Sequence, residues 1–252
     1  MDDSDPNSFG NTRHHIIAGC EASLRRLRRD HIDLYQIHRP QREVPIDETL
    51  RALDDLVRSG KVRYIGCSTF SAWQVVEALW CAKEHGLHRF VSEQPPYNLL
   101  DRRIERELLP MCRTYGLAVI PWGPLAGGLL TGKYSPGQPP PPDTRYSDHA
   151  ARPLFRDRWS DSAFAATAQF NALASAKGCP LSHFALAWLL QQPGVTSPIV
   201  GVRTVAQLEN NLHSLDVTLT AAELARIDEI VPPGTHVAPY YESELGPHPH
   251  RW

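Results

Sequence analysis

No stretch of this 252-residue chain holds the roughly 20 consecutive apolar residues that a membrane-spanning helix needs. An excess of charge is also missing. The 26 Lys and Arg against 28 Asp and Glu leave a formal net charge of −2, so no global basic field draws the protein to nucleic acid or to an anionic membrane. Cysteine is sparse and unpaired: Cys20, Cys67, Cys81, Cys112 and Cys179 are odd in number and scattered. That pattern excludes a disulfide framework and a cysteine zinc site, and a reduced, cytoplasmic protein is expected. His248 and His250 stand two residues apart with no further ligand type beside them, so no metal site is expected. The opening MDDSDPNSFGN is acidic and polar, unlike a secretory signal or an Arg-rich transit peptide. Finally, no GxGxxG follows a first strand, which weighs against a Rossmann dinucleotide fold.

What is present is an alternation. Hydrophobic residues make up 42% of the chain, enough for a sizeable core. Residues 14–28 carry Ile16, Cys20, Leu24 and Leu27 at helical spacing. Residues 46–59 repeat Ile46, Leu50, Leu53 and Val57 and stop at Gly60, a good residue to end a helix. Further helices are expected over 71–85, over 101–115 with a kink at Pro110, and over 180–192 with Pro180 in the first turn. Thr204 with Gln207, and TAAE at 220–223, read as capping boxes. Between the helices lie five short apolar runs, 33–38, 63–68, 90–94, 117–122 and 197–201. Strands alternating with amphipathic helices predict a parallel sheet covered by helices, either doubly wound or a (β/α) barrel.

The polar residues that stand out fall just past the strand ends: His38 and Arg39, Ser68 and Thr69, Gln94, Trp122, Gly201 and Arg203. In a barrel, ligands sit at that C-terminal face. Residues 135–161 open with SPGQPPPPDTR, too stiff and polar for a regular element. They read as a long loop over the barrel mouth. The tail 232–252 reads as irregular.

DLYQIHRP, DETLRALDDLVRSGKVRYIGCSTFS, SEQPPYNLLDRRIERELLP, PWGPLAGGLLTGKY and SPIVGVRTVAQLENNL resemble the aldo-keto reductases in order and spacing. The likeness is greatest to bacterial reductases that include deoxysugar-pathway enzymes, and to potassium-channel β-subunits. The resemblance runs from about residue 6 to residue 231. It implies a (β/α)8 TIM barrel transferring hydride between a nicotinamide and a carbonyl or alcohol, with Asp, Tyr, Lys and His as catalytic groups. His38 matches the family histidine at the end of the fourth strand. The five strands then correspond to β4–β8. The expectation is a single, incomplete barrel domain over 1–252, with β1–β3 missing and the catalytic Asp, Tyr and Lys missing with them. Activity of the chain is then in doubt, and open barrel edges would favour self-association.

The cofactor residues implied by the resemblance are better represented. Ser68, Thr69 and Gln94 match the nicotinamide carboxamide site, with Thr69 in place of a commoner Asn. Trp122 matches a ring stacked on the nicotinamide. Gly123, Pro124, Leu125, Gly127 and Gly128 match the loop that folds over the pyrophosphate, and Lys133 and Arg145 match basic positions near it. Gly201 and Arg203 precede a helix whose unpaired amides and dipole favour an anion. Arg203 adds a planar positive charge suited to the 2′-phosphate of NADP(H). Gln207, Asn210 and Asn211 share one face toward the adenine. Two other classes compete with the reductase: a non-hydride enzyme, such as a cyclase or lyase, and a non-catalytic NADP-binding module.

Overall fold

The computed structural model describes residues 10–41, 43–142, 144, 146–147 and 158–238. They fall into two compact units, residues 1–95 with 110–119, and 96–109 with 120–252.

The first unit is an α/β layer. Helix α1 (Arg13–Leu27) starts at Thr12, whose hydroxyl accepts from the His15 amide, and buries Ile16, Cys20 and Leu24, the four-residue spacing read from the sequence. Strand β1 (Ile32–Ile37) follows. Helix α2 (Ile46–Arg58), strand β2 (Val62–Cys67), helix α3 (Ala72–His85) and strand β3 (Phe90–Glu93) continue the alternation. Helix α4 (Leu108–Tyr115) leads into the two-residue strand β4 (Ala118–Val119). The four strands pair in chain order, all parallel. Parallel pairing puts every strand exit at one edge of the sheet, and that edge carries the candidate residues of this unit. Within the helical layer, α2 buries Asp54 along with Leu50 and Leu53. Burial pushes the Asp54 carboxyl up. Hydrogen bonds from Arg58 Nε (2.5 Å) and from the His88 amide and ring (2.9 and 2.6 Å) outweigh it and hold the group at about 2.

The second unit is mainly helical. Helices α5 (Asp161–Lys177), α6 (Leu181–Leu190), α7 (Val205–Leu212) and α8 (Ala221–Ile230) accompany a core led by Trp188, Tyr97, Phe170 and Phe184, all essentially inaccessible. Arg102, 3% exposed, ties this unit together. Its Nε and Nη2 grip both oxygens of Glu105 (2.8 and 3.0 Å), and Nη1 donates to Asp228 and to the Val231 carbonyl, each at 2.7 Å. The guanidinium lies 5.3 Å from the Trp188 ring centroid, and Tyr97 donates to Glu105 at 2.6 Å.

Several expectations are corrected. The strand expected over 117–122 is only Ala118–Val119, and 197–201 forms one bridge, Trp122 to Ile199, rather than a strand. Proline is the reason. Pro121 and Pro198 lack the amides a ladder needs, leaving the Ile199 amide to Pro121 carbonyl bond, 2.8 Å, as the rung. Instead of one helix over 101–115 there is a 3-10 turn, Arg103–Glu105, and then α4. Pro110 lies in the first turn of α4, where its missing N–H costs nothing. Pro180 is the N-cap of α6 rather than a residue inside it. Thr204 caps α7 by accepting from the Gln207 amide, but the Gln207 side chain accepts from the Arg203 amide instead of closing a box. The expected box at Thr220 and Glu223 is present. The loop read over 135–161 ends one residue early, because α5 begins at Asp161 behind a Ser160 cap. Trp159 stacks there with Tyr146 and Tyr134, with centroids at 4.3 and 4.9 Å.

Candidate functional site

In the first unit the chain leaves β1, β2 and β3 at neighbouring points. The Ser68 amide donates to the Ile37 carbonyl (2.8 Å) and the Gln94 amide to the Cys67 carbonyl (2.9 Å), so the parallel ladder extends one residue past each strand. His38 is exposed there, while Ser68 and Thr69 are buried and Gln94 is half-buried. The structure therefore brings Ser68, Thr69 and Gln94 together. The Ser68 hydroxyl donates to the Gln94 carbonyl at 2.7 Å and accepts from the Thr69 hydroxyl at 3.2 Å, which leaves one lone pair to accept. The Gln94 side-chain oxygen accepts from Gln36 Nε2 at 3.2 Å, which leaves its amino group to donate. Arg39 donates to the Thr69 hydroxyl at 2.6 Å and to the His38 carbonyl at 2.9 Å.

Two residues that sequence reasoning passed over organise this edge. Gln36 sets the orientation of the Gln94 amide, and Ser92 Oγ donates to Gln36 at 3.4 Å. That arrangement requires Gly66, since a Cβ there would stand 2.3 Å from Ser92 Oγ and 3.2 Å from Gln36 Oε1. The second is Glu93, fully buried. Its Oε1 accepts the amides of Thr69 (2.6 Å) and Phe70 (3.2 Å). Thr69 has φ +73°, a left-handed conformation that costs a residue with a Cβ roughly 1–2 kcal/mol. Burial raises the Glu93 carboxyl to about 7, against the pull of the Cys67 thiol and the surrounding amides. Burial and the nearby Glu93 charge raise Cys67 well above an ordinary thiol and Cys112 to about 12. Neither cysteine is a nucleophile at neutral pH.

In the second unit, Trp122 bridges Pro96 on one side and Ile199 on the other. After it the chain runs through a series of tight turns. Gly123, Ala126, Gly127 and Gly128 all have positive φ (68°, 49°, 67° and 106°). The Ala126 amide bonds the Gly123 carbonyl at 2.9 Å, and the Gly128 amide bonds the Leu125 carbonyl at 2.8 Å. Pro124 is buried within this run. A Cβ at Gly128 would meet Lys133 Nζ at 3.5 Å, so the exposed ammonium lies beside a bare stretch of backbone. Gly201, Arg203, Gln207 and Asn210 are exposed and Asn211 half-buried around the start of α7. Arg145 lies outside the described residues. Among the described residues, no cluster of three or more His, Cys, Asp or Glu is placed to hold a metal, and no helix is long and apolar enough to cross a membrane.

The family model described as the aldo/keto reductase family matches residues 1–232. The chain belongs to the aldo/keto reductase family. Within it, the chain is similar to an uncharacterized oxidoreductase of Bacillus subtilis, 38% identical over 234 residues that cover 91% of this chain and 69% of that protein. It is also similar to a probable voltage-gated potassium channel subunit beta of Oryza sativa subsp. japonica, 37% identical over 229 residues, 90% of this chain and 70% of that one. A versiconal hemiacetal acetate reductase of Aspergillus parasiticus is 38% identical over 231 residues, 91% and 66% of the two chains. The resemblance read from the motifs is thus confirmed at the level of the family. Nothing in these matches bears out the expectation that strands β1–β3 are missing.

Aldo/keto reductases generally use nicotinamide cofactors, and in the first unit the strand exits fit the carboxamide of one. A carboxamide offers one acceptor and one donor, and the Gln94 amino group and the remaining Ser68 lone pair are their complements. Pyrophosphate needs a cation and close backbone, and in the second unit Lys133 lies beside the Gly123–Gly128 turns.

Proposed function

We propose that this aldo/keto reductase is an NADP(H)-dependent oxidoreductase of (β/α)8 type, acting on a small carbonyl or alcohol substrate. The observation that supports the reading is the pairing of Ser68 and Gln94: after the bonds to the Gln94 carbonyl, the Thr69 hydroxyl and Gln36, one Ser68 lone pair and the Gln94 amino group remain side by side. When bound, the cofactor supplies the hydride. Ser68 and Gln94 fix the rotation of its carboxamide, and Thr69, held by Arg39, lines the same turn. Trp122 offers a flat apolar face to the nicotinamide ring. The Gly123–Gly128 turns with Leu125 and Lys133 meet the pyrophosphate. Arg203 meets the 2′-phosphate, beside the first amides of α7, which have no intrahelical acceptor. Gln207, Asn210 and Asn211 face the adenine.

His38 is the candidate that orients the substrate carbonyl. The exposed Val205 (71%) and Leu212 (54%) on α7 support self-association. Fluorescence titration with NADPH and NADH tests the cofactor assignment. NADPH should bind at least about tenfold tighter, a difference of ~1.4 kcal/mol, and Arg203→Ala should erase the preference. Equal affinities in the wild type would refute it.

A further inference from the structure

We propose that Glu93 is a positioning residue for the nicotinamide end of the site: its carboxylate holds the Ser68–Thr69–Phe70 turn in the conformation that presents Ser68 beside Gln94. The proposal rests on the nicotinamide assignment. It starts from an oddity of composition, an acidic side chain at the last position of β3 with no exposed surface. A carboxylate is costly to bury, and an apolar residue of similar size would suit the same space at lower cost. What the Glu93 carboxyl does is local and directed. Oε1 receives the Thr69 amide at 2.6 Å and the Phe70 amide at 3.2 Å, while Oε2 has no hydrogen-bond partner among the described residues.

Those two amides belong to a strained turn at this edge. Thr69 is β-branched and sits at φ +73°, a conformation that persists only where the surroundings over-determine it. The carboxylate supplies that constraint from the neighbouring strand. The same strand end carries Gln94, whose carbonyl accepts from Ser68 at 2.7 Å. One short segment, Glu93-Gln94, therefore holds the β2 exit twice, once through the backbone of Thr69 and Phe70 and once through the side chain of Ser68. If Thr69 relaxes to negative φ, the peptide after Ser68 rotates and the Ser68 hydroxyl leaves its place beside the Gln94 amide.

The test uses Glu93→Ala, Glu93→Gln, Thr69→Gly and the double variant Glu93→Ala/Thr69→Gly. Each is titrated with NADPH and, separately, with adenosine 2′,5′-bisphosphate, which has no nicotinamide. Glu93→Ala should raise the NADPH dissociation constant about tenfold or more while leaving the bisphosphate within about twofold, since one well-placed charged hydrogen-bond partner is worth that much. Glu93→Gln, which keeps an accepting oxygen, should stay near wild type. Glycine adopts positive φ without strain, so the double variant should recover most of the NADPH affinity of Thr69→Gly alone. A role confined to general stability would show no such rescue. Should Glu93→Ala fail to fold, Glu93→Gln read by amide hydrogen exchange decides: Thr69 and Phe70 protection is retained on this proposal, and its loss with NADPH affinity unchanged overturns it. Equal loss of both ligands in Glu93→Ala, or no loss of NADPH, also overturns it while the cofactor assignment stands. A wild type that binds neither ligand overturns the cofactor assignment itself, and the proposal with it.

Discussion

Glu93→Gln should make the protein more stable at pH 8 and leave it nearly unchanged at pH 5. Glu93 is inaccessible to solvent, and burial lifts its carboxyl from 4.5 to about 7. In the unfolded chain the group returns to its ordinary value. Between those two values the native state holds a proton that the unfolded state has released, so stability falls as pH rises. The stabilising contribution is fully present below about 4.5 and is lost by the time pH passes 7. The span is about 2.5 units, which at about 1.4 kcal/mol per unit corresponds to roughly 3 kcal/mol. Glutamine has nearly the same shape, keeps an oxygen for the Thr69 and Phe70 amides, and does not titrate. Urea unfolding of wild type and variant at pH 5, 6, 7 and 8, followed by circular dichroism, isolates this one group because all other titrations cancel in the difference. The variant's advantage should grow from near zero to about 2–3 kcal/mol across the series. A difference that does not change with pH, or a variant less stable at pH 8, would refute the account of Glu93 as a carboxyl paying a burial penalty.

Other outcomes follow from the same structure. Arg102→Met should destabilise the second unit by roughly 3–5 kcal/mol in denaturant titration, because it strands Glu105 in a buried site, and pairing it with Glu105→Leu should recover much of the loss. Asp54, held at about 2 against an ordinary 3.8, contributes stability above pH 3.8 that is lost as pH falls through about 2. Asp54→Asn should therefore lower the urea midpoint at neutral pH and flatten the acid side of the stability profile. Gly66→Ala should weaken NADPH binding by several-fold without affecting adenosine 2′,5′-bisphosphate, since its Cβ displaces Ser92 and Gln36 from behind Gln94. An unchanged NADPH affinity would show that Gln36 does not set the Gln94 amide.

Much of the local architecture was legible in the sequence for physical reasons that act over short distances. The spacing of Ile16, Cys20 and Leu24 is the buried stripe of α1, and Thr220 with Glu223 caps α8 through bonds three residues apart. Apolar runs mark where strands stop, so His38, Ser68, Thr69 and Gln94 could be placed at strand exits before any coordinates. The motifs also led to the aldo/keto reductase family. Prolines 121 and 198 stand in the sequence as breaks in the last two expected strands.

What sequence could not decide was the partner of each polar group. Arg102 stands in the charged run DRRIERE, which reads as a solvated surface. It is buried because Asp228, 126 residues away, and the face of Trp188 close around it. Gln36 reads as the outward residue of a half-buried strand, yet it meets Gln94, 58 residues on, across the parallel sheet. Glu93 reads as the polar end of a strand, and only the approach of the β2 exit turns it into the acceptor of two amides from 23 and 24 residues earlier. Periodicity reports which face of an element is apolar. Whether a polar side chain on that element meets water or a distant amide is decided by the parallel register of the strands, because the register alone sets which donors arrive beside it.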